Sequence, residues 1–357
     1  MTSPTPHDSA VALELEPRQQ AFLNLLQTSI PIAAHPYRDV AAAVGMTESE
    51  ALATLRRLRE TRVIRQVSAI FDSRALGYAS SLVAARCAST RLDQAAAVVS
   101  GHPGVSHNYR REHAYNLWYT LAVPPTSRLG IEGTAEILHR MSGAETTRLL
   151  PALRVFKIGV QLDMTGESHP GDRAAGTLLG AAAVPPPPLT ALEIAAVREL
   201  QHDLPDDAEP FRGACARLGL NLDELAALAT QMQSDGRLRR IAAVLNHRRA
   251  GFTANAMGVW RVDPERIEEA GARMASFRAV SHCYQRPTYP DWPYNLFTMV
   301  HGRGRAECDE ALAAIQRELQ LPDYLALYSV QEYKKARMTY FSPEAEQWEE
   351  AQLAGRS

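Results

Sequence analysis

The sequence predicts an α+β chain in which one arrangement, a winged helix-turn-helix followed by a ferredoxin-like domain, is written twice in tandem. Three observations carry that prediction. Motifs recur in the same order in both halves, a proline-rich stretch separates the halves, and in each half a three-helix pattern precedes a β-α-β-β-α-β pattern.

The repeat is read residue by residue. Ile30-Pro31, Pro36-Tyr37-Arg38 and Leu58 recur as Leu204-Pro205, Pro210-Phe211-Arg212 and Met232, an offset of 174 residues. The same offset carries Ile64-Arg65-Gln66-Val67 onto Leu238-Arg239-Arg240-Ile241, and Arg74 and Gly77-Tyr78 onto Arg248 and Gly251-Phe252. Further on, Val105-Ser106-His107-Asn108-Tyr109 matches Val280-Ser281-His282-Cys283-Tyr284, Tyr115-Asn116-Leu117 matches Tyr294-Asn295-Leu296, and Phe156-Lys157 matches Tyr333-Lys334. The offset drifts by a few residues, as loop insertions between retained elements require. Between the halves, Gly166 to Pro188 is rich in Gly, Ala and Pro and ends in four prolines, which favour an extended spacer.

Within the first half, Phe22, Leu25 and Leu26 give a helix one apolar face, and Tyr37 to Val44 reads as a second helix closed by Gly45. Thr47 and Glu50 form a capping box for a third helix with Leu52, Leu55 and Leu58 on its stripe. Val63 to Phe71 is β-rich and reads as the wing. Then come a strand (Tyr78 to Arg86), a helix (Leu92 to Ser100), two strands joined by a tight turn (Val105 to Arg111 and Tyr115 to Val123), a helix (Ile131 to Met141) and a last strand (Leu153 to Leu162). The expected boundaries are 15–75 for the first winged helix, 76–165 for the first ferredoxin-like domain, 166–188 for the spacer, 189–249 for the second winged helix and 250–342 for the second ferredoxin-like domain. A winged helix followed by a ferredoxin-like domain resembles the Lrp/AsnC regulators, and the resemblance implies that the two halves pack as a pseudo-dimer, with the sheets facing each other around a cleft.

Composition narrows the function. Hydrophobic residues make up 46% and charged residues 22%, a globular balance, and the formal net charge of -2 lacks the basic surplus of a chain devoted to nucleic acid. The helix that would read DNA, Glu48 to Glu60, carries Arg56, Arg57 and Arg59. Its counterpart, Leu222 to Asp235, carries Asp223, Glu224 and Asp235 and no Lys or Arg. Such a helix is poorly suited to phosphates and base edges, so DNA binding is not expected. The four cysteines, Cys87, Cys215, Cys283 and Cys308, form no C-x-x-C pair, which argues against a zinc or redox site. They read as reduced thiols, with Cys283 the one inside a motif. From the polar N-terminus and the lack of a long apolar stretch, a cytoplasmic location with no membrane partner is expected. His35, His139, His202 and His247 read as surface residues, and Gly302-Arg303-Gly304-Arg305 is too short for a phosphate loop.

The chemistry lies on the strands. His107, Tyr109 and Arg111 alternate and project from one face, as do His282, Tyr284 and Arg286. Across the hairpins stand His113 and Tyr115 in one half, and Trp292 and Tyr294 in the other. A face bearing so many polar groups is costly to bury without partners. The run His107-Asn108-Tyr109-Arg110-Arg111-Glu112-His113-Ala114-Tyr115-Asn116-Leu117-Trp118 resembles the signature of one siroheme decarboxylase subunit type. Ser281-His282-Cys283-Tyr284-Gln285-Arg286-Pro287, Trp292-Pro293-Tyr294-Asn295-Leu296 and Tyr333-Lys334-Lys335-Ala336-Arg337-Met338 resemble the second type, so the chain resembles a fusion of both.

That resemblance implies non-oxidative loss of the acetate carboxylates at ring positions 12 and 18 of siroheme. The product would be 12,18-didecarboxysiroheme, toward d1-type heme, with no added cofactor because the iron travels with the substrate. Siroheme is flat, apolar and ringed by carboxylates, so its site needs cations and aromatic walls. Each well-formed charge-assisted bond contributes roughly 1.5–3 kcal/mol. The candidates for substrate binding are Arg65, Tyr109, Arg110, Arg111, Tyr115, Lys157, Arg239, Arg240, Tyr284, Arg286, Trp292, Tyr294 and Lys334, with Trp118 as a further wall. Decarboxylation leaves an electron pair that the macrocycle can hold until a proton arrives, and histidine is the usual donor near neutrality. His107, His113 and His282 are the catalytic candidates, with axial ligation of the substrate's iron as the alternative role for one of them. A tetrapyrrole-sensing regulator and an amino-acid-binding regulator are the other functions this architecture allows. The sequence leaves open whether the chain dimerises and whether one site or two do the work.

Overall fold

The computed structural model describes residues 15–158, 187–245 and 254–355. Most of the 166–188 spacer, His247 and the repeat matches at Arg248 and Gly251-Phe252 lie outside the described residues. In chain order the first half contains α1 (Pro17–Thr28), α2 (Pro36–Ala42), α3 (Glu48–Glu60), β1 (Ile64–Phe71), β2 (Ala79–Arg86), α4 (Leu92–Gly101), β3 (Val105–Arg111), β4 (Leu117–Val123), α5 (Gly130–Ser142), β5 (Thr146–Pro151) and β6 (Arg154–Ile158). The second half contains α6 (Ala191–Leu200), α7 (Arg212–Leu218), α8 (Leu222–Ser234), β7 (Leu238–Leu245), β8 (Ala254–Trp260), α9 (Ile267–Ser276), β9 (Val280–Gln285), β10 (Leu296–Gly302), α10 (Arg305–Leu319), β11 (Tyr324–Lys335) and α11 (Pro343–Ala354).

The chain forms two compact units, and each takes the like parts of both halves. One comprises residues 1–72 and 189–246, the other 73–188 and 247–357. In the first unit, the Thr47–Glu50 capping box opens α3 as its spacing dictates, and Thr190 with Glu193 and Asn221 with Glu224 open α6 and α8 in the same way. The strand expected as a wing does not fold back into a hairpin of its own half. β1 pairs antiparallel with its repeat counterpart β7, Ala69 opposite Ile241. Three basic residues were expected on the α3 surface, but Arg59 pairs with Asp203 and with Asp206 (2.7 Å), and Arg56 donates to the Asp206 carbonyl at 2.9 Å.

The second unit is a β-sandwich with helices on its outer faces. The strand order is β5-β2-β4-β3-β11-β8-β10-β9-β6. The two halves exchange strands. β11 pairs through Tyr324–Tyr328 with β8 of its own half, and through Ser329–Lys335 with β3 of the other. β5 pairs with β2 of its own half, and β6, two residues later, pairs with β9 of the other. α4 and α5 cover one sheet over Val83, Leu117, Tyr119 and Leu121, while α9 and α10 cover the other over Trp260, Leu296 and Val300. The sheets face each other as expected, but the space between them is not an open cleft at its centre. Trp118, Trp292, Phe297, Met257, Val259 and Leu327 fill it.

The exchanged strand β6 packs closely on its host. A Cβ on Gly271 of α9 would stand 2.4 Å from the Phe156 ring, far inside normal contact. Gly271→Ala is expected to lower stability by roughly 1–3 kcal/mol through overpacking. A urea midpoint unchanged from the wild type would show that β6 yields freely.

The C-terminal α11 sets Trp348 edge-on to His102, ring centroids 4.3 Å apart. His102 is buried, and its Nδ1 accepts from the Gly104 backbone N–H at 2.9 Å. Burial, with a further contribution from the Lys334 charge, lowers its pKa to about 4. Between that value and the unfolded histidine value near 6.5, the unfolded chain binds a proton that the folded chain does not. Stability is therefore expected to be level above pH 7 and to fall as the pH drops toward 4, by up to about 3 kcal/mol from this residue. Urea midpoints across that range check it, and His102→Asn should reduce the slope by this residue's share, leaving that of His282, which burial also lowers to about 4.

Candidate active site

The two His–Tyr–Arg runs lie on equivalent strands of the sandwich, one beside each strand crossing. On β3, Asn108 turns to the helices and donates to the Ala96 carbonyl and Ser100 Oγ, both at 3.1 Å. Its neighbours His107 and Tyr109 lie on the opposite, inter-sheet face, Tyr109 across from Trp118. On β9, Cys283 turns to the helices and His282 and Tyr284 to the inter-sheet face, across from Met299 and Phe297. The Cys283 thiol is fully buried against the Gly271 carbonyl and pushed up to about 12 by burial. It is a packing residue, not a nucleophile.

Each run ends in an arginine used in the same way. Arg111 donates to the Leu327 carbonyl of β11, and Arg286 to the Leu150 carbonyl of β5, just before the crossing into β6. Arg286 stacks over Tyr284, 4.7 Å from the ring centroid, and Arg111 lies 5.8 Å from the Tyr109 centroid. Burial lowers both guanidinium groups to about 10, so both stay charged at neutral pH. The titratable groups acting on them are Tyr109 for Arg111, and Tyr284 and Arg74 for Arg286; no carboxylate is among them. Nε of each makes no hydrogen bond among the described residues. Two buried cations without a counter-charge among the described residues make this region receptive to an anion.

The histidines differ in setting. Burial, aided by the charges of His301, Arg286 and Lys157, lowers His282 to about 4. His113 stands apart from His107 at the β3–β4 turn. Its Nδ1 accepts from the Tyr115 backbone N–H at 3.0 Å, its ring meets Trp292 edge-on at 5.5 Å, and burial lowers its pKa.

Several expected substrate contacts have other partners. Trp292 and Tyr115 are 1% and 3% exposed and belong to the inter-sheet core, as does Trp118, so they do not line an open wall. The Tyr115 hydroxyl donates to Asp291 at 2.7 Å, and Arg148 grips the same carboxylate at 2.9 and 3.0 Å. Tyr294 is half-buried against that core. Lys157 and Lys334 lie on the helix side of their strands. Lys157 donates to the Phe277 carbonyl at the end of α9 (2.9 Å), and Lys334 to the Ser100 and His102 carbonyls at the end of α4 (2.7 and 3.2 Å). Both cap helix C-termini, where a cation is favoured. Arg110 is exposed on β3. Arg65, Arg239 and Arg240 belong to the other unit, on the β1–β7 ribbon; all three are exposed, and Arg239 pairs with Asp72 at 2.6 Å. Sequence reasoning overlooked Ser106, Thr120, Ser281 and His301, which surround the site histidines. Ser106 and Ser281 stood inside the repeated motif.

Among the described residues no group of three or more His, Cys, Asp or Glu is placed to hold a metal ion, and no helix is long and apolar enough to cross a membrane. Known proteins resemble this one along nearly its whole length. The AsnC-like ligand binding domain model matches residues 75–157 and 249–334, and the siroheme decarboxylase NirDL-like HTH domain model matches residues 19–65. A siroheme decarboxylase of Hydrogenobacter thermophilus is 40% identical over 332 residues, 92% of this chain and 96% of that protein. The crystal structure of the siroheme decarboxylase NirDL superposes with a TM-score of 0.78 at 35% identity, covering 95% of this chain and 99% of the other. The same enzyme in complex with an iron-uroporphyrin III analogue gives a TM-score of 0.77 at 35% identity, covering 95% and 100%. With its duplicated architecture and both His–Tyr–Arg runs in place, the chain belongs to the siroheme decarboxylase family.

Proposed function

We propose that this protein is a siroheme decarboxylase that removes the acetate carboxylates at positions 12 and 18, releasing two molecules of CO2 and 12,18-didecarboxysiroheme, toward d1-type heme. The observation that carries this reading is the pair of equivalent His–Tyr–Arg sets, each with a buried guanidinium that no carboxylate among the described residues neutralises. The family relatives support the substrate class.

Arg111 and Arg286 meet substrate carboxylates, and Tyr109 and Tyr284 lie along the same strand faces beside them. The reaction is a non-oxidative carbon–carbon lyase step. The bond between the acetate methylene and its carboxylate breaks, CO2 leaves, and the electron pair spreads into the macrocycle. A proton from histidine then completes the new methyl group. His282 and His107 are the donors in this reading. No redox partner enters the balance, and the iron belongs to the substrate. Lys157, Lys334, Tyr115 and Trp292 act by holding strands and core, not by touching the ring.

The test is anaerobic incubation of the full chain with siroheme, followed by mass spectrometry of the extracted tetrapyrrole. Loss of two CO2 units is expected. Siroheme that stays bound and unchanged would favour a tetrapyrrole-sensing protein, and siroheme that does not bind would remove the reading.

A further inference from the structure

The serine before each site histidine makes the same contact in both halves. Ser106 Oγ lies 3.0 Å from His107 Nδ1, and Ser281 Oγ lies 2.8 Å from His282 Nδ1. Each hydroxyl has a second polar neighbour at 2.8 Å, Thr120 Oγ1 in the first half and His301 Nε2 in the second. Aligned on Asn116 and Asn295, His301 stands where the first half has Ala122. It is half-buried on the inter-sheet side of β10, with Asn255 opposite on β8 and the Lys335 charge acting on it from β11.

The number of protons limits what each contact can be. A serine hydroxyl has one proton to give and two lone pairs to receive. In the first half, Thr120 Oγ1 accepts the His107 backbone N–H at 3.1 Å and can donate its own proton to Ser106, in which case the Ser106 proton goes to Nδ1. In the second half, Ser281 Oγ has two acceptors to choose between, His282 Nδ1 at 2.8 Å and the Met299 carbonyl at 3.2 Å. The shorter contact takes the proton when His301 donates into Oγ from Nε2. The chain then runs in the same direction in both halves, from a donor through serine to Nδ1. A neutral imidazole whose Nδ1 accepts carries its proton on Nε2.

We infer that Ser281 and His301 are positioning residues that hold His282 as the Nε2–H tautomer, so that it meets the substrate as a proton donor and not as an axial ligand of the iron. A protonated Nε2 has no lone pair to offer a metal. The inference rests on the proposed function for the identity of the substrate, whereas the tautomer is a property of the protein alone.

The experiment has two arms. The first is ¹⁵N NMR of the full chain with labelled histidine and no tetrapyrrole. His282 should report protonation at Nε2 in the wild type and in His301→Gln, which keeps a donor near Ser281. His301→Leu and Ser281→Ala should convert a measurable share to the Nδ1-protonated form. In the second arm, siroheme turnover by His301→Leu should show kcat reduced on the order of 10-fold with little change in KM, and His301→Gln should recover most of it. An Nδ1-protonated His282 in the wild type would overturn the inference. So would an unchanged spectrum and unchanged kcat in His301→Leu, or in Ser281→Ala should the leucine variant not fold. A wild type that leaves siroheme intact would sink the proposed function, while the NMR arm would still decide the tautomer.

Discussion

His282→Ala is expected to slow siroheme decarboxylation by roughly 10²–10⁴-fold, the usual contribution of a positioned acid. In the protein without substrate, burial and the charges of His301, Arg286 and Lys157 hold His282 near a pKa of about 4, so at neutral pH it is uncharged. In the proposed reaction a polycarboxylate entering beside Arg286 brings negative charge that favours a second proton on Nδ1. Ser281 can accept that proton by turning its own to the Met299 carbonyl, so that Nε2–H is kept for the substrate. On the proposed function the acid forms when the substrate arrives, and the variant is expected to lose chemistry more than binding. Single-turnover reactions followed by mass spectrometry would separate the two CO2 losses. If His282→Ala stalls after one loss and His107→Ala stalls at the other, each strand crossing serves one acetate. Equal slowing of both losses in one variant alone would give all the chemistry to one set. Wild-type rates in both variants would end the assignment of either histidine as acid.

Arg237→Met is expected to lower the stability of the first unit by about 3–5 kcal/mol, the typical cost of leaving a buried charge without its partner. The Arg237 side chain is 2% exposed and pairs with Glu193, itself 10% exposed, with Asp235 at 3.7 Å. Glu193 also completes the capping box of α6, accepting from Thr190 N at 2.7 Å and Thr190 Oγ1 at 2.9 Å. Removing the arginine leaves that carboxylate in a dry site with only neutral donors. The double variant Arg237→Met/Glu193→Gln should recover part of the loss, since it removes both charges together. Urea denaturation measures both. A single variant within about 1 kcal/mol of the wild type would show that water reaches the carboxylate or that Glu193 takes up a proton.

Much of the architecture was legible because its signals are local. The capping boxes and the alternation on β3 and β9 each need only a few neighbouring residues to be read. β5 was missed because Thr146–Pro151 is short, partly exposed along its length and ends in proline. The strand exchange had no local signal at all, because nothing in Arg154–Ile158 distinguishes a partner in its own half from one in the other. The site divides along the same line. His107, Tyr109, His282 and Tyr284 share faces as their spacing requires. Lys157 and Lys334 were candidates because a ring of carboxylates calls for cations, and which face of a strand a cation takes was not legible there. Register shifts fall between Val155 and Lys157 and between Glu332 and Lys334, and one such shift sends a side chain to the other face. Trp292 and Tyr115 show a different limit, since an aromatic residue that could line a site and one that fills a core look the same in sequence.

The exchanged strands also bear on how the molecule is made. When the first half has left the ribosome, β6 has no β9 to pair with and β3 has no β11, so two rows of backbone donors and acceptors are open. At ordinary synthesis rates they stay open for on the order of ten seconds while the rest of the chain is built. A second nascent chain in the same polysome offers the same missing strands during that interval. Tethering both halves in one polypeptide keeps the correct partner at high effective concentration once it emerges, and so favours closure within a chain over swapping between chains.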